Sequence, residues 1–514
     1  MATPNEKLAS SLKALKALQD TDRLAIRASD LTRTHRERLV SEGYLRPIVK
    51  GWYMPSRPEE RPGDSTAWTM SIRQFIRGYC DARFGEDWFL AAEQSLLLHA
   101  AATTLQLQIQ VRAPRANNNR IELPNGSSIF EYQTTDFPDR GDVVILDHLR
   151  VLSLPLALCR VAENFFRSRQ NDARICLLAV RDPSDLLKHL ASPGQPVVAG
   201  RLAGAMRAIG RPDIAERLKG ALEALKHTFV ESNPFVAPVP YLAIRAGESA
   251  YAIRIRALWA DMRGVVIAAF PAEPEEAIDI EVYMKDVDDR YVTDAYHSLS
   301  IEGYHVSDAL IQKVSQGDWS PDNPDDRKHR DAMAARGYYL AHLEVKKAIR
   351  RILLGENPGM VLRQGHSQWY QALFAPSVTA GILLTHQLAG YRNDQVFIKN
   401  AHHVPPSKDA VRDAMPVLFE LLEAEPSAAA RAVLGHYVFV YIHPYMDGNG
   451  RIGRFLMNCM LASGGYPWTV IQSEHRDQYM SALDRVVSDG DIGEFAAFVG
   501  AQVSGQMGTK PRRR

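Results

Sequence analysis

The chain has 514 residues, of which 46% are hydrophobic and 24% are charged, with 61 Lys and Arg against 60 Asp and Glu. At roughly 150 residues per domain, this length predicts about three folding units. The composition excludes collagen, low-complexity and wholly disordered chains, because 33 Gly and 29 Pro are spread through an ordinary hydrophobic background. A net charge of +1 argues against a protein that binds polyanions over its whole surface, although a local basic patch is compatible with it.

The four cysteines predict reduced, mostly buried thiols. Cys80, Cys159, Cys176 and Cys459 are far apart and show no CxxC or Cys/His spacing of the kind that a zinc site needs. The N-terminus lacks the pattern of a signal peptide, and no stretch approaches the ~20 apolar residues that a membrane helix requires. We therefore expect a cytoplasmic protein with no membrane contact.

Residues 1–62 form a basic segment, with 12 Lys and Arg against 8 Asp and Glu. Apolar spacing predicts a helix within residues 1–18, a second over Leu24–Leu31 and a third over Thr32–Glu42, followed by a hairpin that turns at Lys50-Gly51. Three helices and a hairpin are typical of a winged-helix domain. The alternative is a small basic domain whose charged helix simply faces solvent.

The stretch LVSEGYLRPIVKGWYM within this segment resembles the winged helix that opens AbiEi-type antitoxins and transcription regulators. The resemblance implies that the Thr32–Glu42 helix enters the major groove of DNA and that the Lys50-Gly51 wing contacts phosphate. Residues 1–62 are therefore expected to bind DNA.

The remaining chain is predicted to contain one α+β region and one helical region. Residues 63–235 alternate helices with strand-sized runs and show no catalytic cluster, which indicates a scaffold or interaction domain. Residues 236–340 are expected to be a connector, in which the apolar run Val265–Phe270 is predicted to be a strand. Residues 341–503 are mostly helical by pattern, and residues 504–514 form a basic tail. We predict a mainly α protein with minor β structure.

The stretch HPYMDGNGRIGR, from His443 to Arg454, concentrates the chemistry of the chain. Apolar helices are predicted on both sides of it, and its glycines let the backbone feed a helix N-terminus, which is a site for phosphate. Arg451 and Arg454 lie three residues apart on that helix, so both can point at a polyphosphate. Asp447 suits a magnesium ion that takes one carboxylate. His443 can accept a hydroxyl proton near neutral pH.

Other interpretations of this stretch fit less well. A merely polar interhelical loop would not require two glycines around Asn449 and two arginines in register with the following helix. A metal hydrolase is disfavoured because the chain has no HExxH and no second histidine at ligand spacing, and an ATPase is disfavoured because no GxxxxGK[ST] P-loop occurs.

The same stretch resembles the signature of the Fic family, HPFx[D/E]GNGRxxR, with Tyr445 in place of the usual Phe. The resemblance implies an all-helical Fic core that transfers AMP from ATP onto a Ser, Thr or Tyr hydroxyl of a target protein. It implies that His443 is the general base and that Asp447 binds Mg²⁺. The implied contacts to the α-phosphate of ATP are Gly448, Asn449 and Gly450. The implied contacts to its β- and γ-phosphates are Arg451 and Arg454.

Two further segments resemble parts of that family. The stretch GYRNDQVFIKNAHHVPP is similar to the family's flap hairpin, whose edge strand would dock the target peptide. The implied docking residues are Gln395, Val396, Phe397, Ile398 and Lys399. His402 and His403 are interpreted as surface residues. Tyr479 lies in a stretch similar to the family helix whose aromatic residue borders the nucleotide.

A short pattern before the core predicts autoinhibition. Ser298-Leu-Ser-Ile-Glu302-Gly303 matches [S/T]xxxE[G/N], which marks an inhibitory helix in Fic proteins. A carboxylate that pairs with the arginine meant for the γ-phosphate would deny ATP its productive pose. The predicted pair is Glu302 with Arg454. The resemblance also implies that Glu302 can activate water and remove AMP.

Two other functions stay open at this point. Related Fic proteins transfer other phosphate-containing groups, although Gly450 stands where the Doc-type phosphotransferase carries Lys. The chain could also be a transcription regulator that binds DNA through residues 1–62 and uses the Fic core as a nucleotide sensor, but a sensor has no need for His443. The sequence does not define the target protein, and a homodimer is one of the assemblies that it leaves open.

Overall fold

The computed structural model describes residues 3–59, 65–104, 106–191, 195–240, 242–245, 247–275, 278–317, 330–399, 401 and 403–507. The protein is 61% helical with few strands, which confirms the prediction of a mainly α fold with minor β structure. The chain divides into two compact units. The first comprises Met1–Ile253 and Phe397–Val404, and the second comprises Arg254–Val396 and Pro405–Arg514.

The first unit begins with two helices and a small antiparallel sheet. Helix α1 (Pro4–Gln19) starts at a capping box between Thr3 and Glu6, and helix α2 (Arg33–Ser41) starts at Thr32, whose side chain accepts a hydrogen bond from the His35 backbone. The strands pair in the order β1-β3-β2, which confirms the hairpin at Lys50-Gly51. They are β1 (Ile26–Arg27), β2 (Leu45–Val49) and β3 (Trp52–Pro55).

The helix predicted over Leu24–Leu31 is wrong. Strand β1 occupies this segment and pairs with β3 through Ile26 and Arg27. Eight residues gain little from an isolated helix, because nucleation is costly. The buried Ile26 instead joins the core of this region together with Leu15 and Leu39.

The rest of the first unit places a four-stranded mixed sheet beside short helices. The sheet order is β4-β5-β7-β6, in which β5 and β7 are parallel and the consecutive strands β6 and β7 are antiparallel. The strands are β4 (Phe89–Leu90), β5 (Gln108–Ala113), β6 (Asn119–Glu122) and β7 (Ser128–Gln133), followed by the separate hairpin β8 (Val143–Leu146) and β9 (Leu149–Leu152). The helices are α3 (Thr66–Phe84), α4 (Ala92–His99), α5 (Leu154–Arg160), α6 (Asn164–Ser168), α7 (Gln170–Leu178), α8 (Pro183–Leu190), α9 (Pro196–Ala208) and α10 (Pro212–Ala224), with 3-10 turns at Pro124–Gly126 and Arg140–Asp142.

The second unit, as far as it is described, is helical. Its helices are α11 (Ala250–Ala269), which begins just before the unit boundary, α12 (Ile280–Ile301), α13 (Asp308–Ser315), α14 (Arg330–Leu353), α15 (Pro358–Thr379), α16 (Lys408–Ala424), α17 (Ala428–Ile442), α18 (Asn449–Ala462), α19 (Arg476–Asp489) and α20 (Gly493–Met507), with 3-10 turns at Thr385–Leu388 and Ser473–His475. The predicted basic tail starts inside α20, and its residues 508–514 lie outside the described ranges.

The strand predicted at Val265–Phe270 is wrong, because this run is the last part of α11 and its end. Val266 is fully buried, whereas Val265 and Ile267 are 43% and 40% exposed. A short apolar run cannot by itself distinguish a strand from a buried helix segment.

A close approach between α14 and α15 fixes the base of this helical unit. A β-carbon on Gly337 would overlap the carbonyl oxygen of Leu373, so only glycine fits at this crossing. Leu373 and its neighbour Phe374 in turn border the loop that carries the predicted catalytic residues. The crossing therefore sets the position of one wall of that loop.

Buried free thiols are found at all four cysteines, as predicted. Within the described ranges, no helix combines the length and the apolar character that crossing a membrane would need.

Candidate active site

The signature loop, residues 443–448, joins the deeply buried helices α17 and α18. Helix α17 ends at Ile442, and His443 follows in the left-handed conformation with φ 52° and ψ 60°. The loop closes at Gly448, which is also left-handed with φ 77°. A non-glycine residue in this region costs on the order of 1–3 kcal/mol and persists where the surrounding structure enforces it, often at functional sites.

Hydrogen bonding determines which nitrogen of His443 can act as a base. Nδ1 lies 3.1 Å from the carbonyl oxygen of Val440. This contact favours the tautomer in which Nδ1–H donates and Nε2 keeps its lone pair. Burial lowers the pKa of the imidazole to about 4, and the charge of Arg392 acts in the same direction. The ring is therefore neutral at pH 7, as a base that accepts a hydroxyl proton must be.

Asn449 closes the signature loop through its side chain. Its Nδ2 donates to the carbonyl oxygen of Tyr445 at 2.8 Å, and its Oδ1 accepts from the Tyr445 backbone at 2.9 Å. Each amide atom keeps one further hydrogen-bonding position, so the place of Asn449 at the α-phosphate stays a prediction. Its backbone N–H remains at the start of α18, where a helix offers unpaired donors to an anion.

Gly448 and Gly450 lie where neighbouring side chains leave no space for a β-carbon. A β-carbon on Gly448 would come within 2.9 Å of Leu373 and 3.1 Å of Phe374, in addition to the strain of its positive φ. A β-carbon on Gly450 would overlap the Glu302 carboxylate. The space over Gly450 at the start of α18 is thus occupied by the predicted inhibitory side chain.

Arg454 is held by the predicted inhibitory segment. Its Nη2 donates to Glu302 Oε1 at 2.7 Å, its Nε donates to Ser298 Oγ at 2.8 Å, and Nη2 also donates to the Ser298 carbonyl oxygen at 3.0 Å. Arg454 is 3% exposed. Both specified side chains of the pattern contact the arginine that the sequence assigns to the γ-phosphate. Gly303, the third specified position, has φ +80° directly after the end of α12.

The charge balance of this contact favours an ion pair. Burial alone would raise the pKa of Glu302, but the positive charges of Arg454 and Arg451 outweigh it and hold that pKa below its usual value. Glu302 therefore stays ionised at pH 7 and competes as an anion for the place of a phosphate. Arg454 has one buried nitrogen, Nη1, without a hydrogen-bond partner, which is a donor that a phosphate oxygen could use.

Arg451 lies between two aromatic rings. Its guanidinium carbon is 5.2 Å from the ring centre of Tyr304 and 5.3 Å from that of Phe374. Tyr304 follows the inhibitory pattern by one residue, so the same segment contacts both arginines. The buried Nε of Arg451 has no hydrogen-bond partner, and Nη2 lies 3.4 Å from the Asp447 carboxylate.

Asp447 is the carboxylate available for a magnesium ion. Its side chain is 63% exposed and borders Arg451. One carboxylate fits Mg²⁺ only when phosphate oxygens and water complete an octahedral shell, which is how this ion usually binds in nucleotide sites. No group of three or more metal-binding side chains occurs among the described residues, so the protein alone does not form a cage. Asp447 thus fits a magnesium ion that arrives with a nucleotide.

Residues 362–461, which include the signature loop and nearly all of α18, match the family model described as the Fic/DOC family. The chain contains a Fic domain. It is 29% identical over 213 residues to a protein named protein adenylyltransferase Fic from Culex quinquefasciatus, covering 41% of this chain and 39% of that protein. A protein of the same name from Nematostella vectensis is 39% identical over 113 residues, or 21% of this chain and 26% of that protein.

The chain therefore spans well under half the length of these curated relatives. Among solved structures, a Fic domain containing signaling protein from Bacteroides thetaiotaomicron aligns at 18% identity with a TM-score of 0.35, covering 48% of this chain and 93% of that chain. The resemblance of residues 1–62 to AbiEi-type winged helices stays a prediction.

The interpretation of Tyr479 as a nucleotide contact is not met in this Fic domain. Its side chain is 2% exposed, and its hydroxyl lies 2.8 Å from Nε2 of the buried His436. The Tyr479 ring packs against Phe495 and Phe498. Burial raises the pKa of the Tyr479 phenol to about 12, and the nearby positive charge of Arg454 opposes this rise.

A buried polar cluster behind Arg454 was missed by the sequence analysis. The hydroxyl of Tyr338 donates to Asp294 Oδ2 at 2.6 Å, and both residues are buried. Burial raises the pKa of Asp294 to about 6, against the opposing effects of Tyr338 and Trp468 hydrogen bonds. Asp294 lies one helical turn before Ser298 on α12, so the i, i+4 spacing to the inhibitory pattern was the signal that could have identified it.

The flap of the Fic domain is not the hairpin that the sequence predicts. Residues 395–398 form no strand pairing, and the bridge between Thr104 and His403 lies beyond them. Pro405 and Pro406 provide no backbone N–H for a ladder, and the Gln395 side chain instead donates to the Pro405 carbonyl oxygen at 2.8 Å. His403 is 5% exposed and bonded to Thr103, so its surface interpretation is wrong, and His402 lies outside the described residues.

Proposed function

We propose that this protein transfers AMP from ATP onto the hydroxyl of a Ser, Thr or Tyr side chain of a target protein and releases pyrophosphate. The observation that carries the proposal is the signature loop, in which a neutral histidine and two arginines surround a helix start where the Glu302 carboxylate takes the place of an anion. The Fic domain and the relatives named protein adenylyltransferase Fic support it.

His443 is the proposed general base. In the reaction, the target hydroxyl oxygen forms a bond to the α-phosphorus while the bond from that phosphorus to the pyrophosphate oxygen breaks. The hydroxyl proton passes to Nε2 of His443, the nitrogen left free by the contact of Nδ1 with Val440. The low pKa of the imidazole keeps it ready to accept that proton.

The start of α18 is the proposed phosphate site. The backbone N–H groups of residues 448–450 would bind the α-phosphate, because a helix N-terminus offers unpaired donors and a positive dipole end. Arg451 and Arg454 would bind the β- and γ-phosphates with their forked donors. Asp447 would hold magnesium, which when bound neutralises charge on the phosphates.

Autoinhibition by Glu302 is part of the proposal. The carboxylate pairs with Arg454 and occupies the space over Gly450, so ATP can place its terminal phosphate there only after Glu302 moves. A carboxylate beside His443 can also accept a proton from water. We therefore include removal of AMP from modified protein as a second role of Glu302.

The test uses purified wild type, Glu302→Gly and Glu302→Gly/His443→Ala with magnesium and ATP labelled at either the α- or the γ-phosphate. We expect label on protein from α-labelled ATP alone, strongest in Glu302→Gly and absent from the double variant. Label from γ-labelled ATP would show that the protein transfers a phosphoryl group rather than AMP. Persistent labelling by the double variant would reject His443 as the base.

DNA binding by residues 1–62 is a second proposed activity. It is favoured by the order of α2, β2 and β3, with Lys50 exposed at the turn between the strands. Against it, Arg36 and Arg38 of α2 donate to the carbonyl oxygens of Ala28 and Lys7 within the same region, which reduces the basic surface. A gel-shift with the protein's own promoter, over a salt series, tests it. Loss of binding in Lys50→Ala would support a wing contact, and no shift at low salt would reject the proposal.

Both activities would operate in the cytoplasm, where ATP and DNA are accessible, and both are compatible with a homodimer.

A further inference from the structure

Arg392 ties both ends of the flap to the signature loop. Its Nε donates to the carbonyl oxygen of His443 at 2.8 Å, its Nη1 donates to that of Asp394 at 2.9 Å, and its Nη2 donates to that of Pro406. Its backbone N–H donates to the Pro444 carbonyl oxygen at 2.9 Å. Each guanidinium nitrogen thus bonds a different part of the chain: the catalytic histidine, the start of the flap and its end.

The environment of this guanidinium is unusual for a charged group. Arg392 is 2% exposed, and the acceptors named above are all neutral carbonyl oxygens. Burial lowers its pKa to about 10, so it is still charged at pH 7. A buried charge is costly unless its hydrogen bonds are satisfied. The planar guanidinium can donate hydrogen bonds from its three nitrogens to three carbonyl oxygens at fixed angles. A lysine ammonium is instead a single charge at the end of a flexible side chain.

We propose that Arg392 is a positioning residue that holds the two ends of the flap, at Asp394 and Pro406, to the backbone of His443, so that the hydroxyl of a target docked next to residues 395 and 396 reaches Nε2. This inference rests on the proposed transfer function. Arg392 would thus place the target hydroxyl accurately, although within the described residues it contacts neither Arg451 nor Arg454.

His443 itself does not depend on Arg392 for its place. Its backbone N–H donates to the Phe439 carbonyl oxygen at 3.0 Å, and its side chain is bonded to Val440. Removing Arg392 should therefore loosen the flap and leave the base where it is. Besides Arg392, Gln395 links the two ends of the flap through its contact with Pro405.

The experiment compares Arg392→Lys and Arg392→Ala in the Glu302→Gly background. Each protein is incubated with magnesium, α-labelled ATP and a pool of short synthetic Ser, Thr and Tyr peptides. Two products are measured: label on peptide or protein, which needs a docked hydroxyl, and free AMP, which forms when water attacks instead. Because a misplacement of about 1 Å can cost ~100-fold in rate, we expect hydroxyl labelling to fall by about 10- to 100-fold while AMP release and ATP affinity stay within a factor of about two.

Arg431→Gln in the same background is the matched control. Arg431 is also buried and donates to a backbone carbonyl oxygen, that of Glu425, but it lies near the N-terminal end of α17, about 18 Å along the helix from His443. We expect its ratio of hydroxyl label to AMP to equal that of the parent. Added guanidinium should partly restore the ratio in Arg392→Ala and have no effect on Arg431→Gln.

A second measurement does not depend on activity. Trypsin should cut after Lys399 faster in both Arg392 variants than in the parent, because the flap ends are no longer tied. Unchanged cleavage, an equal fall of label and AMP, or a fully active Arg392→Lys would each overturn the inference. Absence of both products in the Glu302→Gly parent would instead reject the proposed function, and faster cleavage after Lys399 would still support the tie.

Discussion

Replacing Glu302 should raise ATP affinity and lower the stability of the ATP-free protein at the same time. The carboxylate accepts a 2.7 Å hydrogen bond from Arg454, whose side chain is 4% exposed, while the Glu302 side chain is 29% exposed. A hydrogen bond between charged groups contributes about 1.5–3 kcal/mol. Binding of ATP must replace it, and each 1.4 kcal/mol corresponds to about tenfold in affinity. Glu302→Gly should therefore bind ATP about 10- to 150-fold more tightly.

Without nucleotide, Glu302→Gly should be less stable than wild type. Arg454 then loses its anionic partner but keeps its two hydrogen bonds to Ser298. We expect the free energy of unfolding to fall by up to about 3 kcal/mol, which is the lower end of the cost of breaking a buried ion pair. In a unit of this size each kcal/mol shifts Tm by roughly 2–4 °C. Thermal melts should show a lower Tm for Glu302→Gly alone and a larger rise of Tm on adding magnesium and ATP.

Isothermal titration of ATP into wild type and Glu302→Gly measures the affinity directly. Glu281→Gln is the matched control, because Glu281 lies in the first turn of the same helix, α12, and forms an exposed ion pair with Arg350. Exposed pairs contribute about 0–1 kcal/mol, so this variant should bind ATP as wild type does. An unchanged or weaker affinity of Glu302→Gly would refute the competition between Glu302 and phosphate.

Three further results are expected. Tyr304→Ala should raise ATP affinity by about two- to fivefold in titrations, because a cation–π contact on Arg451 contributes about 0.5–1 kcal/mol; no change would show that the ring does not restrain Arg451. Gly337→Ala should lower Tm by several degrees through overpacking against Leu373, typically about 1–3 kcal/mol, whereas an unchanged melt would contradict the helix crossing. Asp294 has a pKa raised by burial to about 6, so its stabilising effect is complete below its unfolded pKa near 4 and is lost as pH rises through 6; relative to wild type, Asp294→Asn should gain about 2 kcal/mol in unfolding free energy between pH 4 and pH 7, and a parallel pH dependence would contradict the shift.

The sequence was most informative where function is local. The signature from His443 to Arg454 is contiguous, so its residues could be expected to lie together at one helix start, and the pairing of Glu302 with Arg454 was predicted from a matching pattern. The hydrogen bonds between the Asn449 amide and the Tyr445 backbone could not be predicted, because they depend on how the loop folds.

Errors arose where distant segments decide the structure. Arg392 is separated from His443 by 51 positions, and no local pattern indicates that a single guanidinium holds both ends of the flap. The cluster of Tyr338 with Asp294 likewise depends on the packing of α14 against α12. At Val265–Phe270, a short apolar run of strand length favoured a strand, but the run continues a helix that begins at Ala250.

The two hydrogen bonds of the Asn449 side chain have a consequence for the redesign of this protein. Because the Asn449 amide bonds both backbone groups of Tyr445, residues 445–449 form a hydrogen-bonded loop of fixed length. We expect that inserting or deleting a residue in this loop would break both hydrogen bonds and change how the loop joins α18. Side chains are therefore best exchanged at Met446, which is exposed and takes part in neither hydrogen bond, whereas Asp447 is the proposed magnesium ligand and should be left unchanged.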